Sequence, residues 1–260
     1  MMTSINDLEV RLAQSANELW QAQALRYRVF FEEMGAVADE ATASRRLDVD
    51  RFDELADHLV VLDHSRRRPK VVGCYRMLRS EVVGDLSAFY SAAEYDLSVL
   101  STRRREILEL GRSCVDAAYR TGTVMQLLWR GIAQYLEAYE VGLMIGCASL
   151  PGTDITRVAP QIRYLHEQHL APLPMRPHAH SHCRVAHEPF AAENYVPARA
   201  QRMLPPLLRG YLRVGAMIGE GAVLDQQFNT IDVCIVLPTQ QIDDRYLRHY
   251  QPSLPATAAA

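Results

Sequence analysis

An apolar, strand-like segment that carries both a carboxylate and a guanidinium constrains this chain more than any other feature. The segment covers residues 107–115, and Glu109 and Arg112 lie in it among Ile, Leu and Val side chains. Moving two charges out of water is costly, so a chain usually keeps such a pair because it uses it. The alternative is a purely structural ion pair. The pattern predicts a polar site built on a sheet.

Other charged residues upstream also have apolar neighbours. They are Arg26, Asp50, Asp53 and Arg76. Each has a structural alternative: a salt bridge for the arginines, and a helix cap or loop carboxylate for the aspartates. Together with Glu109 and Arg112 they indicate one site assembled from distant parts of the chain.

Composition sets the outer bounds. The chain has 260 residues, of which 48% are hydrophobic and 23% charged, enough for one substantial core, so we expect a single domain over 1–260. It has no run of 18 apolar residues and no secretion signal, which predicts a cytoplasmic location with reduced cysteines. The net charge of −3 gives no reason to expect a nucleic acid partner. The arginine clusters 66–68 and 103–105 either face an acidic partner or lie in solvated loops.

The first part of the chain predicts a helix followed by a hairpin. Ser15 and Glu18 form a capping box, which places a helix over about 16–34. Its core face is predicted from helical spacing to be Trp20, Ala24, Tyr27, Phe31 and Met34. A loop over 35–50 and a β-hairpin, 58–62 with 70–78, should follow.

The second part predicts strand, helix and strand: 107–115, 123–139 and 143–148, with the two strands parallel. A helix over 155–168, an irregular insertion over 171–206, and a C-terminal part over 207–250 with a helix and a strand complete the chain. The fold class is α/β, with a mixed central sheet flanked by helices.

The strand 107–115 needs a β-bulge. Residues three apart in a regular strand point to opposite faces, so Glu109 and Arg112 could not cooperate there. A bulge near 111–113 returns both to one side, and Gly111 is the residue type that favours it. A bulge would also leave backbone amides free to bind a thioester oxygen.

At this point the residues carry a resemblance. Arg26, Phe30, Asp50, Asp53, Arg76, Glu109 and Arg112 are similar in type, order and spacing to the site of acyl-homoserine lactone synthases. The segments 109–115, 143–149, 204–213 and 225–232 resemble more closely the related ornithine N-acyltransferases, the hemolysin-like GNAT family that makes lyso-ornithine lipid. The resemblance spans roughly 25–250.

The resemblance implies a GNAT-type fold, an acyl-transfer activity without a bound cofactor or metal, and two partners: acyl carrier protein and ornithine. The resemblance implies that the donor is the phosphopantetheine thioester of acyl carrier protein and that the acyl chain is long and 3-hydroxylated. The loop 120–124 has one glycine and ends in Val124, which differs from the phosphate loop of acetyl-CoA enzymes and favours a protein-borne donor.

The resemblance also implies roles for individual residues. Glu109 is the candidate base that takes a proton from the attacking amine, and Arg112 either orients it or binds the substrate carboxylate. The predicted substrate-binding residues are Arg26, Phe30, Asp50, Asp53, Arg76 and Asp225. The predicted phosphopantetheine-binding residues are Ser113, Cys114, Val115, Arg120, Gly122 and Thr123. Asp225, Asp232 and Glu220 are acidic candidates for the δ-ammonium of ornithine.

Several alternatives stay open. Another amino acid could replace ornithine, the product could be an acyl-homoserine lactone, or the fold could bind acyl groups without catalysis. The segment after Ala171 and the Leu-Pro-Pro-Leu stretch at 204–207 argue against a lactone synthase. The histidine-rich segment 178–187 could bind zinc, but nothing pairs with it at a familiar spacing. The amphipathic 204–214 segment indicates either core packing or peripheral contact with the inner membrane surface.

Overall fold

The computed structural model describes residues 7–101, 105–186 and 195–242. The strands are β1 (Leu8–Leu12), β2 (Asp57–Asp63), β3 (Lys70–Arg79), β4 (Tyr95–Asp96), β5 (Ile107–Val115), β6 (Leu143–Pro151), β7 (His178–Ala179), β8 (Met217–Ile218), β9 (Val223–Asp225) and β10 (Thr230–Pro238). The helices are α1 (Ala16–Tyr27), α2 (Glu40–Arg45), α3 (Ser80–Val83), α4 (Thr123–Ala138), α5 (Ile155–His169), α6 (Pro197–Met203) and α7 (Pro206–Arg213).

The main sheet is mixed, as the sequence predicted. Its strand order is β1-β2-β3-β5-β6-β10-β8, and β9 also pairs with β10. Every neighbouring pair is antiparallel except β5 and β6, which are parallel and joined by α4. A separate two-stranded ribbon pairs β4 with β7. The predicted hairpin (β2 and β3) and the predicted strand, helix and strand unit are therefore confirmed.

The parallel strands β5 and β6 pair over only a short distance. Their pairing runs from Ile107 with Leu143 to Glu109 with Ile145. Just beyond, a Cβ atom on Gly146 would lie 2.3 Å from the Leu110 carbonyl oxygen, so no larger residue fits where the two backbones meet. The rest of β5 pairs with β3 and the rest of β6 with β10, which leaves a gap between them.

The β-bulge expected in β5 is present. Cys74 and Arg76 of β3 are two residues apart, whereas their partners Cys114 and Gly111 of β5 are three apart. The extra residue lies between Gly111 and Cys114. The residue with left-handed backbone is Arg112, at φ +50°, and not the glycine that the sequence indicated.

The helix α1 begins where predicted, but its buried face was predicted wrongly. Ser15 accepts a hydrogen bond from the Glu18 amide, and the helix continues as a π-helical turn over Arg28–Glu33. Trp20 and Met34, which we expected in the core, are 54% and 41% exposed. The residues that face the sheet are Ala22, Gln23, Leu25, Arg26 and Val29. The hydrophobic pattern did not predict this face because the face contains Arg26. The charge of Arg26 can be buried because Asp48 and Asp53 pair with it.

Other elements differ in smaller ways. The predicted loop over 35–50 contains α2, β1 was not predicted, and the part of segment 171–206 that the structure describes holds β7 and α6. The buried stripe of α4 is confirmed at Val124, Leu128, Ile132 and Tyr135, while Tyr139 is 37% exposed. Residues 187–194 and 243–250, like Arg103 and Arg104, lie outside the described residues. No described helix is long and apolar enough to span a membrane.

Candidate functional site

A buried ionic network joins α1, β3, β5 and the segment that precedes β2. We call it the paired network, and it consists of Arg26, Arg76, Arg112, Asp48, Asp50 and Asp53. Three guanidinium groups face three carboxylates, so the formal charges cancel. Burial of so many charges is tolerable only when each one has a partner.

Arg26 is the centre of the paired network and is 1% exposed. It donates to Asp48 Oδ2 at 2.7 Å, to the Asp48 carbonyl at 2.7 Å and to both Asp53 oxygens at 2.7 and 3.1 Å. Burial raises the pKa of Asp53, but the adjacent Arg26 guanidinium outweighs this effect, and the pKa lies below its usual range. The carboxylate is therefore ionised at neutral pH.

Arg76 and Arg112 complete the paired network. Arg76 donates to Asp50 at 2.6 Å and to Asp53 at 3.3 Å, while Arg112 donates to Asp48 at 3.0 Å and to Asp50 at 3.1 Å. The Arg112 guanidinium also lies over the rings of Tyr90 and Phe228, at 4.9 and 4.5 Å from their centroids. Asp48, Asp50 and the two rings therefore hold Arg112 in place. The structural ion pair between Arg112 and Glu109, which the sequence left open as an alternative, is not formed.

A pocket of about 250 Å³ opens beside the paired network, in the gap between β5 and β6. Glu109, Gly111, Arg112 and Ser113 of β5 line one wall. The opposite wall carries Cys147, Ser149, Asp225, Phe228, Thr230 and Asp232, and α7 closes it with Leu207 and Tyr211. The β-bulge places Glu109 and Arg112 on the same side, as predicted.

Glu109 is 4% exposed and faces this pocket. Its two carboxylate oxygens accept hydrogen bonds from the backbone amides of Tyr90 at 2.9 Å and Ser91 at 2.7 Å. Burial raises the pKa of Glu109, and these amides oppose the rise. A carboxylate in this state is fixed in position and more basic than one in water, which suits proton abstraction.

Three more carboxylates gather beside the pocket, and we call them the acidic cluster: Asp225 and Asp232 line the pocket, and Glu94 lies next to them. One oxygen from each lies within 4.8 Å of the others, so this is a group of described residues that could hold a cation. Burial, and then the neighbouring Asp232 charge, raises the pKa of Glu94 to about 8. Burial raises the pKa of Asp232 to about 6.

The structure distributes the predicted substrate-binding residues between the pocket and the wall behind it. Phe30, Arg76 and Asp225 line the pocket, whereas Arg26, Asp50 and Asp53 lie behind it in the paired network. Glu220, a third acidic candidate, is elsewhere and pairs with Arg176 at 3.4 Å and His178 at 3.5 Å.

The predicted phosphopantetheine-binding residues follow β5 towards α4. Ser113 lines the pocket, and its buried hydroxyl lies near the Tyr75 hydroxyl without a hydrogen bond of good geometry. Cys114 and Val115 are buried, and Gly122 caps α4 with left-handed backbone at φ +94°, next to Thr123. Arg120 donates to the Val115 carbonyl at 3.0 Å and pairs with Glu33 at 2.5 Å.

Several residues of the site were missed from the sequence. Asp48 lies in a segment that read as a mobile loop, and Glu94 lies in a stretch without clear periodicity. Cys147 was not singled out as a site residue, yet its thiol donates to Glu94 Oε2 at 3.1 Å. Tyr75 and Tyr211 line the pocket with their hydroxyls 3.2 Å apart. The only available signal was alternation along β6 and β10, which places Cys147, Ser149 and Asp232 on one face.

Two other predicted features are used mainly outside the pocket: the described part of the histidine-rich segment does not line it, and the 204–214 segment packs in the core as well as lining the pocket with Pro205, Leu207 and Tyr211. In the histidine-rich segment, His180 bonds the Ala92 carbonyl at 3.1 Å and stacks on His182, and His187 lies outside the described residues. The apolar side of the 204–214 segment is used in the core, where Leu204, Leu208, Tyr211 and Val214 are buried. Core packing therefore accounts for its amphipathic pattern.

Known proteins similar to this chain share its domain type and most of its length. Residues 25–130 match the acetyltransferase (GNAT) domain family. The L-ornithine N(alpha)-acyltransferase of Rhodobacter capsulatus is 40% identical over 93% of this chain and 94% of its own length. The protein of the same name from Brucella abortus is 42% identical over 95% of this chain and 89% of its own length.

Solved structures show the fold shared with more distant proteins. FeeM, an N-acyl amino acid synthase from uncultured soil microbes, matches with a TM-score of 0.51 at 11% identity, covering 90% of this chain and 91% of its own. The CoA-dependent acyl-homoserine lactone synthase MesI matches with a TM-score of 0.52 at 14% identity, covering 97% and 100%. Together with the domain match, these likenesses confirm the GNAT-type fold that the sequence predicted.

Proposed function

This chain belongs to the family of the L-ornithine N(alpha)-acyltransferases and is an acyltransferase of GNAT fold, and on that premise we propose that it acylates the α-amine of ornithine. The proposed donor is a long-chain, 3-hydroxylated acyl group on acyl carrier protein, and the proposed product is lyso-ornithine lipid. The resemblance read from the sequence is confirmed at the level of the family.

One observation carries the proposal: a single pocket between two separating parallel strands is lined by a buried carboxylate, a guanidinium and two members of the acidic cluster, Asp225 and Asp232. These groups match the parts of ornithine. Glu109 faces the amine that reacts, Arg112 offers a cation to the α-carboxylate, and the far wall is acidic. The gap between β5 and β6 leaves room for the linear arm of the donor.

Amide formation requires proton transfers that Glu109 can perform. The α-ammonium must lose one proton before its nitrogen attacks the thioester carbonyl carbon, and a second proton as the C–N bond forms. The C–S bond then breaks and the thiolate takes up one proton. We assign the first transfer to Glu109, directly or through water, because its raised pKa brings it closer to that of the amine.

The donor occupies the opening on the β5 side in this proposal. Backbone amides at the bulge near Ser113 polarise the thioester carbonyl, and the start of α4 at Gly122 and Thr123 accepts the phosphate of the pantetheine arm. The hydroxyls of Tyr75 and Tyr211 supply a proton to the leaving thiolate. Cys147 is not proposed as an acyl carrier, because burial raises the pKa of its thiol well above the usual value.

The test combines donors and acceptors. Purified protein is incubated with acyl carrier protein thioesters and matched acyl-CoA thioesters, each with ornithine, lysine, glycine or S-adenosylmethionine, and products are identified by mass spectrometry. We expect N-acylornithine with the carrier-protein donors. Absence of product from every pair would contradict the enzyme proposal, and an acyl-homoserine lactone from S-adenosylmethionine would favour the alternative.

The base is tested with Glu109→Gln, and with Glu137→Gln as the matched control because Glu137 is exposed on α4. Loss of a general base should lower kcat about 10²- to 10⁴-fold, while the control keeps wild-type kcat. In the wild type, kcat/KM should fall as the pH drops through the pKa of Glu109. A Glu109→Gln protein that has wild-type circular dichroism and full turnover would exclude the assigned role.

A further inference from the structure

The acidic cluster has no cation of its own. Among the residues described at 7–101, 105–186 and 195–242, no arginine, lysine or histidine forms a salt bridge with Glu94, Asp225 or Asp232. The polar partners that are present are neutral: the Cys147 thiol on Glu94, the Phe228 amide on Asp225 at 2.9 Å, and the Thr230 and Ser149 hydroxyls near Asp232. Three carboxylates so close together repel each other unless protons or a ligand neutralise them.

A second observation points to a ligand. Asp232 is 5% exposed and faces the pocket, and the neutral hydroxyls of Thr230 and Ser149 approach its carboxylate. Neither hydroxyl makes a hydrogen bond of good geometry to the buried Asp232 Oδ1 atom, and the buried Thr230 hydroxyl has no such bond either. A buried carboxylate oxygen with no partner is costly, and such atoms are usually satisfied by something that the site binds.

We propose that the acidic cluster is the subsite for a primary ammonium group at the end of the acceptor's side chain, and that it makes the enzyme selective for diamino acids. This inference rests on the proposed function, because it concerns the acceptor of the same reaction. An ammonium has three N–H donors and the cluster supplies three carboxylates around one point, so each donor finds a charged acceptor.

The protonation states fit this assignment. Burial raises the pKa of Glu94 to about 8 and that of Asp232 to about 6, so near neutral pH the ligand-free cluster holds a proton on Glu94 while Asp232 is mostly ionised. A bound ammonium would favour the ionised carboxylates and lower both values. Binding of the acceptor is therefore coupled to proton release from Glu94.

The cluster is also joined to the reacting end of the pocket. The turn at Tyr90–Ala93 gives Glu109 its two amide hydrogen bonds, and Glu94 follows it directly. Cys147 contacts the Ser91 hydroxyl at 3.4 Å as well as Glu94. An acceptor held at the acidic cluster thus contacts the same short segment that positions the proposed base.

The experiment compares ornithine with norvaline, which has the same carbon chain without the terminal amine. The substitution is Asp232→Asn, with Glu137→Gln as the control for loss of one carboxylate. Loss of a charged hydrogen bond should raise KM for ornithine about 10- to 100-fold, and kcat/KM for norvaline should stay within about twofold of the wild type. In a binding assay that does not need turnover, ornithine should raise the Tm of the wild type but not of Asp232→Asn.

The outcomes separate this inference from the proposed function. If the wild type acylates ornithine and norvaline equally well, or if Asp232→Asn lowers both reactions in the same proportion, the subsite is wrong and the acyltransfer proposal stands. If chelator removes ornithine selectivity and a divalent ion restores it, the cluster binds a metal and the inference is overturned. If no amino acid is acylated, the proposed function itself fails.

Discussion

Two sets of three aspartate or glutamate side chains lie in or next to the walls of the pocket, and they differ in one respect. In the paired network each carboxylate has an arginine, and Arg26 alone makes four hydrogen bonds. In the acidic cluster, no carboxylate forms a salt bridge with an arginine of the described residues. The same residue types thus have cationic partners in the paired network and only neutral ones, among the described residues, in the acidic cluster.

The difference indicates which wall holds the framework and which receives the ligand. A saturated network of buried ion pairs resists change, because removing one member leaves another charge unpaired. An unsatisfied cluster costs stability in the empty protein and regains it when the missing cation arrives. Substituting Asp by Asn on each wall should therefore have opposite effects.

The largest effect is expected from Asp53→Asn. This change removes one of the two carboxylates that face the buried Arg26, and it also weakens the contact between residue 53 and Arg76. The free energy of unfolding should therefore fall by about 3 to 5 kcal/mol at pH 8. Urea unfolding followed by circular dichroism measures it. The pKa of Asp53 is lower in the folded protein than in the unfolded chain. The stability that ionised Asp53 contributes is therefore fully present at a pH above its pKa in the unfolded chain, and it is lost as the pH falls through its pKa in the folded protein. A loss below 1 kcal/mol would show that the network is not the framework.

The second effect has the opposite sign. Burial raises the pKa of Asp232 from 3.8 in the unfolded chain to about 6 in the folded protein. Any stability that protonated Asp232 contributes is therefore fully present at a pH below its pKa in the unfolded chain, and it is lost as the pH rises through its pKa in the folded protein. At about 1.4 kcal/mol for each pKa unit, Asp232→Asn should stabilise the empty protein by about 3 kcal/mol at pH 8, and the gain should disappear near pH 4. Urea unfolding at both pH values tests this. Destabilisation at pH 8 would mean that Asp232 has a cationic partner.

The contrast between the walls also explains what the sequence could and could not predict. Periodicity and turn residues predicted β2, β3, β5, α4, β6, α5 and β10, because each of these elements buries an apolar face. The same reasoning failed on α1, where Arg26 lies on the buried side and Trp20 is exposed. A pattern of apolar residues cannot recognise a buried charge whose partners lie 22 and 27 residues away.

The residues of the site divide in the same way. Glu109, Arg76 and Arg112 were found because a charge within a strand is conspicuous. Asp48 and Glu94 were missed because acidic residues in irregular segments look like ordinary loop carboxylates. Their roles come from tertiary contacts: Asp48 accepts from both Arg26 and Arg112, and Glu94 lies close to Asp225 of β9 and Asp232 of β10, two strands that pair with each other.

A smaller effect is expected between the two walls, at Gly146, where β5 and β6 begin to separate. Alanine there would place its Cβ 2.3 Å from the Leu110 carbonyl oxygen, so the strands must move apart at the closed end of the pocket. Overpacking of this kind should cost about 1 to 3 kcal/mol in unfolding free energy, and it should raise KM for the acyl donor more than KM for ornithine. Wild-type stability and kinetics in Gly146→Ala would show that this contact does not set the width of the gap.

The smallest effect is expected at Gly111, on the wall of the paired network. The sequence favoured this glycine as the residue that makes the bulge, but the left-handed backbone belongs to Arg112, and a Cβ at Gly111 would only touch the Arg76 side chain at 3.9 Å. Gly111→Ala should therefore stabilise the protein by about 0.5 kcal/mol, through a less flexible unfolded chain. If Gly111→Ala instead lowers the free energy of unfolding by more than about 1 kcal/mol, the bulge depends on the glycine. The left-handed backbone of Arg112 would then be due to Gly111 and not to the bonds that Asp48 and Asp50 make with the Arg112 side chain.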